Sequence, residues 1–129
     1  MKVTYPAIFT PEENGAYSVR FPDVPNAFTC GDDLTDAIEM AADVLGGILA
    51  ADYIEAEKKM PEPSNHSSIK LEANEFTQLV NVDPHKFINN KKVLRKNCTV
   101  PEWVCKRADQ QHINYSETLT EALIDKLNL

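Results

Sequence analysis

The sequence predicts an α+β protein: a small antiparallel sheet packed on one long helix, then a short module of one strand and two helices. Three observations carry this. The first thirty residues hold aromatic and β-branched runs broken by turn residues, the apolar spacing becomes helical from Asp33, and the sign of the charge reverses near residue 85. Residues 1–85 carry 5 basic and 15 acidic side chains, net −10, whereas residues 86–129 carry 8 and 5, net +3. The total of −7 hides this division. Two electrical halves suggest two jobs, which we assign to residues 1–83 and 93–129 with a linker at 84–92.

Residues 2–10 and 16–23 read as the two strands of a β-hairpin, because Pro11 and Gly15 frame a polar turn between them. A short third strand is expected near Ala27–Cys30, closed by Gly31. From Asp33 onward, Leu34, Ala37, Ile38, Ala41, Leu45, Ile48 and Leu49 follow helical spacing, with Asp33 as N-cap and Asp36 three residues on. This helix is expected to run to about Lys59, where Pro61 and Pro63 stop it. Gly46 and Gly47 sit inside it at a cost of about 1 kcal/mol each, which close packing would justify and a kink would explain otherwise. A weaker apolar stripe (Met40, Val44, Ala51, Ile54) suggests cover on a second side, by more core or by another subunit. A loop at 61–70 and a strand at about Glu75–Val82 complete the first part.

The terminal part is anchored by Pro101, which suits a first helical position and so marks the change from strand to helix. Along the preceding strand Arg95, Asn97 and Thr99 share one polar face, and Leu94, Lys96, Cys98 and Val100 the other. A helix from Pro101 to about His112 follows, then a last helix with Ser116 as N-cap and Leu119, Ala122, Leu123 and Leu127 along one side. One strand and two short helices cannot close a core alone. Pairing the strand with its copy in a second chain gives a homodimeric two-stranded ribbon whose outer face carries Arg95, Asn97 and Thr99 twice. Such a ribbon fits the major groove of double-stranded DNA, where arginine reads guanine and asparagine reads adenine. Lys96 departs from its apolar face and is read as reaching a phosphate, and the amides near Ser116 can hold another.

The segment KNCTVPEWVCKRADQQHINYSETLTEALIDKL resembles the ribbon-helix-helix DNA-binding module in order, length and proline placement. Tyr5-Pro6, Gly15, Tyr17, Phe21-Pro22-Asp23, Pro25, Thr29, Gly31 and Asp32 resemble the pattern of the HicB family of antitoxins. That resemblance implies a degenerate ribonuclease H-like first domain, which neutralises a small ribonuclease toxin, HicA. It also implies that the terminal module represses the pair's own operon by binding operator DNA. The acidity of the first part suits a partner that must attract RNA and is therefore basic, and Glu12, Glu13, Asp23 and Asp32 on its loops are the candidate toxin-binding residues. The alternative is a stand-alone ribbon-helix-helix regulator whose first domain senses a ligand. Whether dimers pair further into tetramers is open.

Other chemistry is poorly supported. Asp23, Asp32, Asp33 and Asp36 could be taken for a nuclease's metal carboxylates, but two-metal sites draw their ligands from several strands. These sit at a turn and a helix start, where capping explains them. His66, His85 and His112 fall in loops or at a helix end, away from any nucleophile, so no enzyme, no metal and no cofactor is expected. Trp103 is assigned to packing beneath the ribbon or at the dimer seam rather than to base stacking. Cys30, Cys98 and Cys105 are scattered and odd in number, which fits reduced thiols. With no long apolar run at its start or elsewhere, the chain is expected to be cytoplasmic and off the membrane.

Overall fold

Four antiparallel strands form the sheet of the computed structural model, which describes residues 1–129. β1 (Val3–Pro11), β2 (Tyr17–Arg20), β3 (Phe28–Gly31) and β4 (Phe76–Val82) lie in the order β3-β2-β1-β4. The longest strand is therefore central, and Phe9 on it pairs with Val19 on one side and Phe76 on the other. Period-2 alternation puts Tyr5, Ala7 and Phe9 on the same face as Val19, Val80 and Val82, and all are buried. Phe9 and Phe76 stack with centroids 5.3 Å apart, and Tyr17 meets Phe76 edge-on at 6.1 Å. The first hairpin turns through Asn14 and Gly15, both in the left-handed region (φ 63° and 80°), where an asparagine and a glycine are the residues that fit.

Helix α1 (Leu34–Ile48) covers the apolar face. Asp33 caps it by accepting from the Asp36 amide at 2.8 Å, and Asp36 in turn accepts from the Asp32 amide at 2.9 Å. This is the reciprocal arrangement that satisfies orphan amides at a helix start. Strand and helix meet at Gly31, where a Cβ would lie 2.3 Å from the Ala37 nitrogen. Leu45 and Leu49 are fully buried and contribute about 1.5–3 kcal/mol each. Gly46 faces the Phe87 ring so closely that a Cβ would sit 2.3 Å from it, whereas a Cβ on Gly47 would meet nothing within 4 Å. Close packing thus accounts for the first glycine and not for the second.

The helix does not run to Lys59 as regular α-helix. After Ile48 it widens into a π-helical segment, Leu49–Ile54, and Glu57 (φ 56°) terminates it four residues before Pro61. The Phe-Pro-Asp-x-Pro stretch folds inward, with Phe21, Val24 and Ala27 buried. Its Asp23 fastens the loop beyond Pro61 by accepting from both the amide and the hydroxyl of Ser64, and the Tyr5 hydroxyl donates to the Pro61 carbonyl. Pro84–Phe87, the start of the stretch expected as linker, forms a 3-10 turn with Pro84 buried and Phe87 packed on the core. Residues 2–89 make one compact unit; residues 90–129, grouped with Met1, make the other.

Candidate functional site

In the terminal unit the backbone from residue 91 to residue 100 is exposed throughout and forms no strand in the single chain. Val93 and Leu94 are 89 % and 72 % exposed. Arg95, Lys96, Asn97 and Thr99 all lie on this open stretch. Pro101 precedes helix α2 (Glu102–Gln110) by one residue, and its carbonyl accepts from the amides of Val104 and Cys105. Its lack of an amide costs nothing there, since the first amides of a helix have no partner within it.

A left-handed His112 (φ 54°) turns the chain into α3 (Tyr115–Lys126). Its cap is Asn114, whose Oδ1 accepts from the Glu117 amide at 3.1 Å, so the assignment of Ser116 as N-cap is corrected by two residues. Either residue caps well, but Asn114 is the one with extended backbone, and Ser116 lies inside the first turn. The Tyr115 hydroxyl binds α3 to α2, donating to Asp109 Oδ1 at 2.6 Å and lying 3.2 Å from the Cys105 carbonyl. That bond to a carboxylate pushes the phenol up to about 12. On α2 the Arg107 guanidinium lies 6.0 Å from the Trp103 ring centre.

What this unit lacks is an inside. None of residues 90–129 is buried. Trp103, Leu123 and Leu127 are 66 %, 50 % and 64 % exposed, and they join Val93 and Leu94 as large apolar side chains facing solvent. Surface of that kind marks a place that something else covers.

In the acidic unit the candidate residues divide. Glu12 accepts from the Ser18 hydroxyl at 2.9 Å and remains exposed, and Glu13 lies in the hairpin turn. Asp23 is committed to Ser64, and Asp32 opens α1. The register sets Pro11, Tyr17 and Gly31 in one row, so Glu12, Glu13 and Asp32 follow at the same end of the sheet, and Asp23 lies in the connection at the other end. A network that sequence reasoning missed lies on the sheet face away from α1. Glu75, its side chain 4 % exposed, accepts from Arg20 at 2.7 Å and Thr10 at 2.7 Å, and from the Glu72 amide at 2.8 Å. The Arg20 bond first, then Thr10 and the amide, hold its carboxyl down at about 2. The strand register that joins residues 55 apart gives no signal in the sequence. No group of three or more His, Cys, Asp or Glu has the arrangement of a metal site, and no helix is long and apolar enough to cross a membrane.

The profile of a family described as the HicB-like antitoxin of bacterial toxin–antitoxin systems matches residues 5–126. Antitoxin HicB 2 of Photorhabdus laumondii is 30 % identical over 124 residues, covering 92 % of this chain and 87 % of that protein. Antitoxin HicB 1 of the same organism is 47 % identical over 60 residues, which are 46 % of this chain and only 37 % of that relative's length. Among solved structures, a chain from a toxin–antitoxin complex of Streptococcus pneumoniae superposes with a TM-score of 0.64 at 31 % identity, over 98 % of this chain and 99 % of that one.

Proposed function

The chain belongs to the HicB-like antitoxin family of bacterial toxin–antitoxin systems, and from that membership we propose that it binds and inhibits a small HicA-like ribonuclease toxin and represses its own operon. In this reading residues 1–83 occlude the toxin and residues 93–129 form a dimeric ribbon-helix-helix module. The protein catalyses nothing itself. Arg95, Asn97 and Thr99 of the paired strands address base edges in the major groove, Lys96 reaches a phosphate, and the amides of the first turn of α3, around Ser116, hold another.

The observation that carries the reading is the opposition of the two units. One is acidic and has closed its own core; the other is basic, lies open, and has apolar side chains with nothing over them. A second copy of the chain would supply both the missing strand partner and the missing cover. The acidic unit has the sign needed to meet an RNA-binding protein. The test is co-expression with the open reading frame beside the gene, followed by mass measurement of the complex and gel-shift titration on the upstream DNA. A complex that contains the neighbouring product and shifts the DNA is expected. A chain that ignores the neighbouring product but still shifts the DNA would instead support the stand-alone regulator.

A further inference from the structure

The two edges of the sheet are finished differently. A strand residue sends its N–H and C=O to the same side, so the ladder fixes which backbone groups face outward. The Glu12 amide donates to the Ala16 carbonyl and the Phe21 amide to the Ala27 carbonyl, extending the β1–β2 and β2–β3 registers. Even-numbered residues of β1 therefore bond β2, and its odd-numbered residues bond Phe76, Gln78, Val80 and Val82 of β4. Thr77, Leu79 and Asn81 are left facing outward. Beyond them the run is closed at both ends: the Glu75 amide donates to the Glu72 carbonyl, and the Asp83 carbonyl accepts from the Lys86 amide. No backbone hydrogen bond reaches the outward groups of the three residues between, and Gln78, Leu79 and Asn81 are exposed. The opposite edge is blunted, since β3 has four residues and the Asp32 amide after it is taken by Asp36. β4 has none of the usual guards of an edge: seven residues, a register without a bulge, and no charged side chain, proline or glycine.

We propose that the open edge of β4 pairs with the same edge of a second copy, antiparallel about a two-fold axis at Leu79. Thr77 then lies opposite Asn81 of the second copy and Leu79 opposite its own counterpart, and each opposed pair exchanges both N–H···O bonds. Leu79, 50 % exposed in the single chain, buries against its counterpart. The open run is symmetric about Leu79, as a two-fold contact requires. A basic protein is the poorer occupant, because the strip carries no carboxylate to meet it. Glu75 and Asp83 come opposite one another at the two ends of the pairing, and both are already engaged. Arg20 holds Glu75, while Asp83 accepts from the His85 amide and lies 3.4 Å from the His85 ring. Elsewhere the unit is acidic, so this uncharged strip is where two copies meet with least repulsion. The pairing proposed for residues 93–129 would bring two such edges together at high local concentration.

The test is amide hydrogen exchange on the full chain without any partner, read residue by residue by NMR for the parent and for Leu79→Lys, which sets like charges across the axis. The outward Thr77 and Asn81 amides are expected to exchange at least about 10-fold faster in the variant than in the parent. The inward Gln78 and Val80 amides should stay slow in both, which shows the sheet intact. Should Leu79→Lys disturb those inward amides, Leu79→Pro is read instead, since it deletes one outward amide and leaves the ladder to β1 alone. Outward amides that exchange freely in the parent would overturn the proposal. So would outward amides equally protected in parent and variant, which would assign the cover to another segment of the same chain. Protection that appears only when the toxin encoded beside the gene is added would assign the edge to that protein and overturn the pairing. None of these outcomes touches the antitoxin reading, which co-expression tests separately.

Discussion

Residues 2–89 and residues 90–129 contain similar kinds of side chains but finish folding differently. The first unit buries Tyr5, Phe9, Val19, Leu45 and Leu49 to 2 % exposure or less; the second has helices, a capped turn and a tyrosine clamp, yet buries nothing. The difference is one of geometry rather than hydrophobicity. A four-stranded sheet presents a broad face that one helix can cover. Two short helices and a stretch without a strand partner enclose no volume. Secondary structure in the second unit is set by local signals, such as Asn114 and His112, and none of its residues is buried.

The sharpest way to break this contrast is to remove a large side chain from each unit. Phe9→Ala should cost about 3–5 kcal/mol in urea unfolding, a large share of a small domain's stability. Leu123→Ala should cost less than about 0.5 kcal/mol in dilute solution, while weakening self-association measured by sedimentation. Equal effects on stability would mean that the second unit has a core of its own. Next in size, Arg95→Ala should weaken operator binding by about 1–3 kcal/mol and relax base preference in a gel-shift series, with the melting of the first unit unchanged.

Smaller effects separate two neighbouring glycines. Gly46→Ala should destabilise by about 1–3 kcal/mol because the Phe87 ring must move, and Gly47→Ala should stabilise by about 1 kcal/mol because only helix propensity changes. Thermal melts of the two variants would coincide if the ring gives way freely. The subtlest effect is on acid stability. Glu75 is held at about 2, below the ordinary 4.5, so folding favours its ionised form. Its contribution is complete above about pH 4.5 and is lost as the pH falls toward 2, so Glu75→Gln should show a flatter melting profile across that interval.

Much of the first unit could be read from its residues, since the hairpin, the third strand and the helix start are all written in local spacing. Asp33 and Asp36 were legible as a capping pair for that reason. The end of the helix was not: the prolines at 61 and 63 suggested Lys59, whereas Glu57 turns left-handed first and the last turns widen. Asn114 and Ser116 are both good caps, and residue type alone does not separate them. Arg20 and Glu75 meet only because β4 lies beside β1, and nothing near either residue announces that pairing. Leu34 and Ile38 share the apolar stripe of Ala37 and Ala41 yet stay 42 % and 40 % exposed, a difference in cover that helical periodicity alone does not signal. In the terminal unit the helices were legible, whereas residues 93–100, expected as a strand, form none in the single chain.

The stretch from residue 91 to residue 100 also bears on how long the molecule lasts. A protease needs several residues of accessible, extended backbone in its cleft, and every residue here is exposed without belonging to a helix or strand. Cleavage within it would free a fragment that retains the whole buried core while separating it from the two terminal helices. Strand pairing would shield the same peptide bonds, so the lifetime of the intact chain would rise with its own concentration.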